Sequence, residues 1–149
     1  TISLAGIRSP DLIAQLDTVF ESVKDQVFQN FGEIETAEVK LLFRCYGRDG
    51  VMGELEPMRQ AQPHEIGLVI EVVAKTQALA DTVCSFARST LLHIGYPGRQ
   101  STAGNLAFPY SPSDSSHGLV YEFSVYHLLT VDDPLIPFPR RMQQLGIRS

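Results

Sequence analysis

Three arginines, Arg8, Arg48 and Arg99, each stand in or beside a glycine-containing turn. The third lies in a stretch, residues 95–114 (GYPGRQSTAGNLAFPYSPSD), that has the residue types for holding an anion. Gly98 and Gly104 carry no Cβ, so the backbone there can approach a ligand closely. Arg99 offers a planar guanidinium that grips a carboxylate or phosphate in two bonds. Ser101, Thr102 and Asn105 add neutral hydrogen bonds, and Tyr96, Phe108 and Tyr110 either pack the stretch down or line an apolar neighbour for an acyl chain. Arg8, Arg48, Gly98, Arg99, Ser101, Thr102, Gly104 and Asn105 thus form a candidate site for a small anionic ligand. The same arginines also have structural partners within reach: Asp49 or Glu54 for Arg48, Asp114 for Arg99, and solvent for Arg8.

Other chemistries have less behind them. A phosphate-cradling P-loop needs GxxxxGK[ST] leading into a helix, whereas this string has no lysine and leads away from one. His64, His93, His117 and His127 fall at no ligand spacing with each other or with the cysteines, so no metal and no cofactor is expected. Cys45 and Cys84 read as core thiols rather than nucleophiles. Ser111, Ser113, Ser115 and Ser116 lack a GxSxG elbow. Asp49, Glu54 and Glu56 read as a solvated acidic loop. No catalytic constellation stands out, and whether the chain is an enzyme stays open.

The elements that must position these residues are legible from periodicity. Residues 2–5 are a short apolar run closed by Gly6. Ser9, Pro10 and Asp11 then give an N-cap, an N1 proline and an acidic first turn. Ile13, Leu16, Phe20, Val23, Val27 and Phe31 recur at helical spacing up to Gly32, read as a C-cap glycine. Residues 38–46 alternate, with Val39, Leu41, Phe43 and Cys45 on one face and Lys40, Leu42, Arg44 and Tyr46 on the other. Residues 65–74 alternate likewise, with Ile66, Leu68, Ile70 and Val72 on the buried face. Thr76 caps a second helix that ends at Gly95, with Leu79, Val83, Phe86 or Ala87, Leu91 and Ile94 in its stripe. Residues 119–129 alternate again and read as a fourth strand.

The order β-α-β-β-α-β predicts an α+β domain of ferredoxin-like, split-βαβ type. Its antiparallel sheet, in strand order 4-1-3-2, carries two helices on one face and long loops at one end. The domain is expected over residues 1–131, with a Pro-rich arm over 132–149. On the open face of the sheet, Leu42, Val69, Val73, Val120, Tyr126 and Leu128 lie among charged residues. That face is too apolar to stay wet, so a second copy or another domain is expected to cover it.

The chain has 149 residues, 44% hydrophobic and 19% charged, with a formal net charge of −5. That suits one soluble globular domain. Nucleic acid is a poor partner for an acidic chain, since affinity there rests on neutralising phosphates. No apolar run reaches the ~20 residues of a membrane span. Two unpaired cysteines fit a reducing, cytoplasmic setting. A start at Thr1 without Met suggests an excised piece.

Residues 46–57 (YGRDGVMGELEP), 64–99 (HEIGLVIEVVAKTQALADTVCSFARSTLLHIGYPGR) and 102–114 (TAGNLAFPYSPSD) resemble the C-terminal portion of acyclic terpene utilisation (AtuA-type) proteins. The resemblance spans most of residues 2–134. It implies a piece of a longer bacterial or fungal protein linked with breakdown of citronellol- and geraniol-like compounds, and it carries over no catalytic residue. It further implies an accessory domain for packing, oligomerisation or ligand gating. Two other roles stay open: an enzyme domain that takes an anionic acyl or acyl-CoA-like compound at the loop end, and a small-molecule sensor dimer.

Overall fold

The computed structural model describes residues 1–32, 38–123, 125–128 and 130–144. Within the strand expected over 119–129, Ser124 and Leu129 lie outside the described residues, as do 145–149 of the expected arm. The elements are β1 (Ile2–Ile7), α1 (Pro10–Ile13), α2 (Leu16–Asn30), β2 (Val39–Tyr46), a 3-10 turn (Gly53–Leu55), β3 (Ile66–Ala74), α3 (Gln77–His93) and β4 (Asp114–Ser115). Together they make an α+β fold with an open, four-stranded antiparallel sheet in the order β2-β3-β1-β4.

Alternation sets the faces of the sheet. Val39, Leu41 and Cys45 of β2 are buried, as are Ile66, Leu68, Ile70 and Val72 of β3. From β1, Ala5 and Ile7 join them against Val19, Phe20, Val23 and Val27 of α2 and Val83, Cys84, Ala87 and Leu91 of α3. Phe20 of α2 stacks on Phe43 of β2, with ring centroids 4.3 Å apart and planes 4° from parallel. Such a pair adds about 0.5–1.5 kcal/mol beyond the area it buries.

The caps fall where the sequence puts them. The Ser9 hydroxyl accepts from the Leu12 N–H, and the Thr76 hydroxyl from the Leu79 N–H. The first helix, however, is broken. The Gln15 N–H closes a tighter turn on the Leu12 carbonyl, and α2 starts afresh at Leu16. The Gln15 side chain donates to the Asp11 and Pro97 carbonyls, fastening the break to the long loop. Neither Gly32 nor Gly95 adopts the left-handed conformation of a C-cap glycine. Phe31 and Ile94 end the two long helices with ordinary negative φ instead.

The fourth strand is the main correction. Among the described residues, 119–123 and 125–128 join no strand and are exposed. The edge of β1 is already taken by the long loop. Gly6 and Ala107 exchange both backbone hydrogen bonds, at 2.7 and 2.8 Å, and Ser3 and Ile2 face Asp114 and Ser115. Leu106, just before this edge, is buried in the core. Between the two points of contact, residues 108–113 swing out and Ser113 receives a hydrogen bond from the Ser3 hydroxyl. A loop tied down at both ends leaves no room for residues 119–129 beside β1.

Candidate functional site

The three arginines do not share one cavity. The Arg48 guanidinium bonds Asp17 of α2 at 2.9 Å and lies 3.2 Å from Asp49. Burial pulls its pKa down, but the bonds from Asp49 and Asp17 outweigh this and leave it raised. Asp49 also receives Arg59 at 3.4 Å. This cluster pins the loop after β2 to the first turn of α2. The loop starts as a tight turn in which the Cys45 carbonyl accepts from the N–H groups of Arg48, Asp49 and Gly50. A Cβ on Gly50 would sit 2.8 Å from the backbone of Cys45 and Tyr46, so no other residue fits.

Arg99, in the loop after α3, turns back on that helix and donates to the Leu92 carbonyl at 3.2 Å. Asp114, a possible partner for it by sequence, pairs with Arg88 at 2.9 Å instead. Arg88 also lies 5.7 Å above the Phe108 ring. The Asn105 amide donates to the Gln100 carbonyl, and its oxygen accepts from the Tyr96 hydroxyl at 2.9 Å. Asn105 is buried by these bonds, so it closes the loop rather than facing a ligand.

Arg8, Gly98 and Gly104 do gather around the start of α1. The Gly104 carbonyl accepts from the N–H groups of Arg8 and Ser9, at 2.8 and 2.9 Å. Gly98 adopts φ +78° against Asp11, whose carboxyl carbon lies 3.0 Å from where a Cβ would be. An anion at Gly98 would therefore meet a carboxylate. Ser101 and Thr102 are exposed nearby.

The more open feature is a cleft of about 630 Å³ at this end of the sheet, on the face away from the helices. Gly6 of β1 and Gly67 of β3 are register partners, and Gly67 in turn faces Tyr46 of β2. A Cβ would meet ordinary contacts at either glycine, 4.0 Å from Ala107 at Gly6 and 3.6 Å from Tyr46 at Gly67. Neither has positive φ. Packing does not demand glycine here, and the effect of having two side by side is a floor of bare backbone. Leu4, Val69 and Phe108 supply apolar walls, with Arg8 and Glu65 also lining the cleft. No signal in the sequence marked this slot, because the pairing of Gly6 with Gly67 is set by register across distant strands.

The expected interface residues divide. Leu42 is exposed on β2, and Val69 and Val73 are half-buried on β3. Val120, Tyr126 and Leu128 lie outside the sheet, on an exposed arm that starts at Ser116, well before the expected 132, and Tyr126 is 92% exposed. The arm is rooted by Asp81 of α3, which accepts from the Ser116 hydroxyl at 2.8 Å, and by Gln77, which accepts from the Gly118 N–H at 3.2 Å. Further on, Glu122 pairs with Lys40 of β2 at 2.9 Å.

Both thiols are buried, which pushes Cys45 up to about 11 and Cys84 up to about 12. Neither is a nucleophile near neutral pH. Among the described residues, no three His, Cys, Asp or Glu side chains are grouped to hold a metal. Also among them, no helix is long and apolar enough to cross a membrane. No protein family, curated protein or solved structure matches the chain.

Proposed function

We propose that this chain is an accessory domain that works by being covered: its open sheet face and arm pack on another domain of a longer parent or on a second copy. One observation carries this. A run of large apolar side chains, including Leu119, Tyr121, Phe123, Val125 and Tyr126, stands in solvent on a chain whose core is otherwise well buried. Exposed apolar surface on this scale marks an interaction site. The antiparallel order β4-β1-β3-β2, with both long helices against one face, supports the ferredoxin-like reading of the fold. The resemblance to AtuA-type proteins supplies the parent, with this chain as its C-terminal piece in the cytoplasm. Sedimentation velocity tests the idea. The wild type should assemble, and Leu42→Glu should weaken assembly while keeping the helical spectrum. A strict monomer, with Leu42→Glu costing the full-length parent no stability, would overturn it.

A second reading, an enzyme or sensor domain that takes a small anionic acyl compound at the loop end, has the glycine-floored cleft and Arg8 in its favour. Calorimetric titration with phosphate, citrate and short acyl-coenzyme A thioesters tests it. Arg8→Ala should weaken binding about tenfold or more, the scale of a charged hydrogen bond, and Arg99→Ala by less. Absent binding, or equal binding to all three proteins, would leave the loop a structural element.

A further inference from the structure

We propose that residues 119–128 form a strand donated to the outer edge of β2 in a second copy of this chain, with each copy giving and receiving one. This rests on the packing reading above and names its partner and its geometry.

The acceptor is an open sheet edge. β2 is the outermost strand, paired through Val39–Tyr46 to β3, and no described segment pairs with its other side. Every second residue of β2 therefore points its N–H and C=O outward, a template for one more strand, up to Cys45, whose carbonyl the following turn already holds.

The donor matches that edge row by row. On β2, Val39, Leu41, Phe43 and Cys45 face the helices, whereas Lys40, Leu42, Arg44 and Tyr46 face the open side. On the arm, Leu119, Tyr121, Phe123 and Val125 form one wholly apolar row. Val120, Glu122, Ser124, Tyr126 and Leu128 form a mixed one. Added to β2, the apolar row continues the core face and the mixed row continues the open face. A slip by one residue would drive Glu122 into the core, so the facing is fixed even where the register is not.

Space and charge are waiting as well. A groove of about 500 Å³ lies beside β2, lined by Phe20 and Lys24 of α2, by Leu42, Phe43 and Arg44 of β2, and by the loop after β2 from Arg48 to Glu54. No β1 or β3 residue lines it, so it opens on the outer side of β2. Phe43 is the one core-facing side chain of β2 left half-buried, and it lies in this groove stacked on Phe20. An aromatic from the donated row, such as the wholly exposed Phe123, would cover that stack. On the open side Glu122 would meet Lys40, and its ion pair with its own Lys40 shows the complementarity; Arg44 is already paired with Glu71 at 2.6 Å. Among the described residues the arm passes its own β2 at that point without pairing any backbone to it, which leaves the edge to another copy.

The experiment uses the full chain. Sedimentation velocity is run across a concentration series, with amide hydrogen exchange on β2 at the same concentrations. The wild type should dimerise, and the outward amides of β2 should become protected only where dimer is present. Phe123→Asp and Val125→Pro change exposed arm residues, so the fold should survive; each should raise the dimer dissociation constant roughly a hundredfold and remove the protection. A dimer that persists in both variants overturns strand donation but leaves the packing reading standing. Protection of β2 that is independent of concentration means the arm closes its own edge, which also overturns the proposal. An unprotected β2 in a wild-type monomer overturns it too.

Discussion

β3 and the arm carry the same kind of alternation and live in opposite surroundings. Ile66, Leu68, Ile70 and Val72 alternate along β3 and are buried, with Ile70 fully so. Leu119, Tyr121, Phe123 and Val125 alternate along the arm, and Phe123 is 100% exposed. β3 has partners on both sides, β2 and β1, and two long helices over one face. The arm reaches a sheet whose near edge the loop has already closed. Alternation thus specifies two faces of a strand, but availability of an edge decides whether the strand is used.

The contrast can be broken most directly by truncation on each side. Ile70→Ala should cost about 2–5 kcal/mol in urea unfolding, from lost burial and the cavity left behind. Tyr126→Ala, measured where the chain is monomeric, should change stability by no more than about 0.5 kcal/mol. Comparable losses for the two would mean that the arm packs within its own molecule.

A smaller effect distinguishes the regions by pH, because both thiols belong to the packed part and none to the arm. Burial raises Cys45 to about 11 and Cys84 to about 12, against 9.0 for a free thiol. A raised thiol stabilises the fold fully below the unfolded value. Above it the unfolded chain ionises first, so stability should fall as pH climbs from 9.0 towards about 11 and 12. Cys84→Ser should flatten part of this slope, and a slope unchanged by the substitution would place its origin elsewhere.

The smallest effect lies at the join. Hydrogen bonds from Thr1, Gln77 and Ser116 hold the Asp81 carboxyl below its usual range. That stabilisation is present above the unfolded carboxylate pKa and is lost as pH falls through the lowered folded value. The protection factor of the Gly118 amide should therefore drop at acid pH before the core opens, and Asp81→Asn should remove most of the change. A protection factor at Gly118 that stays flat through that range would mean Asp81 does not hold the root.

Much of the packed half could be read from its sequence because its signals are local. Ser9 and Thr76 cap as their types suggest, and β2 and β3 bury the faces that alternation assigns them. The break after Ile13 was hidden because it depends on Gln15 reaching Pro97, far along the chain. The edge role of Ala107 was hidden for the same reason: an irregular stretch gives no period, and its bonds to Gly6 are set by tertiary contact. The arginines show the limit on the site side. Residue type marks Arg48 and Arg99 as able to hold an anion, but only geometry shows the first bonded to Asp17 and the second to the Leu92 carbonyl.

The bonds between Gly6 and Ala107 have a consequence for how such chains behave when crowded. A sheet that grows into a fibril must be live at both margins, so that each added molecule offers a fresh margin to the next. Here one margin is sealed by the molecule's own backbone and residues 108–113 bulge in front of it. Growth through both margins at once is thereby closed off, and any added strand can enter only from the β2 side.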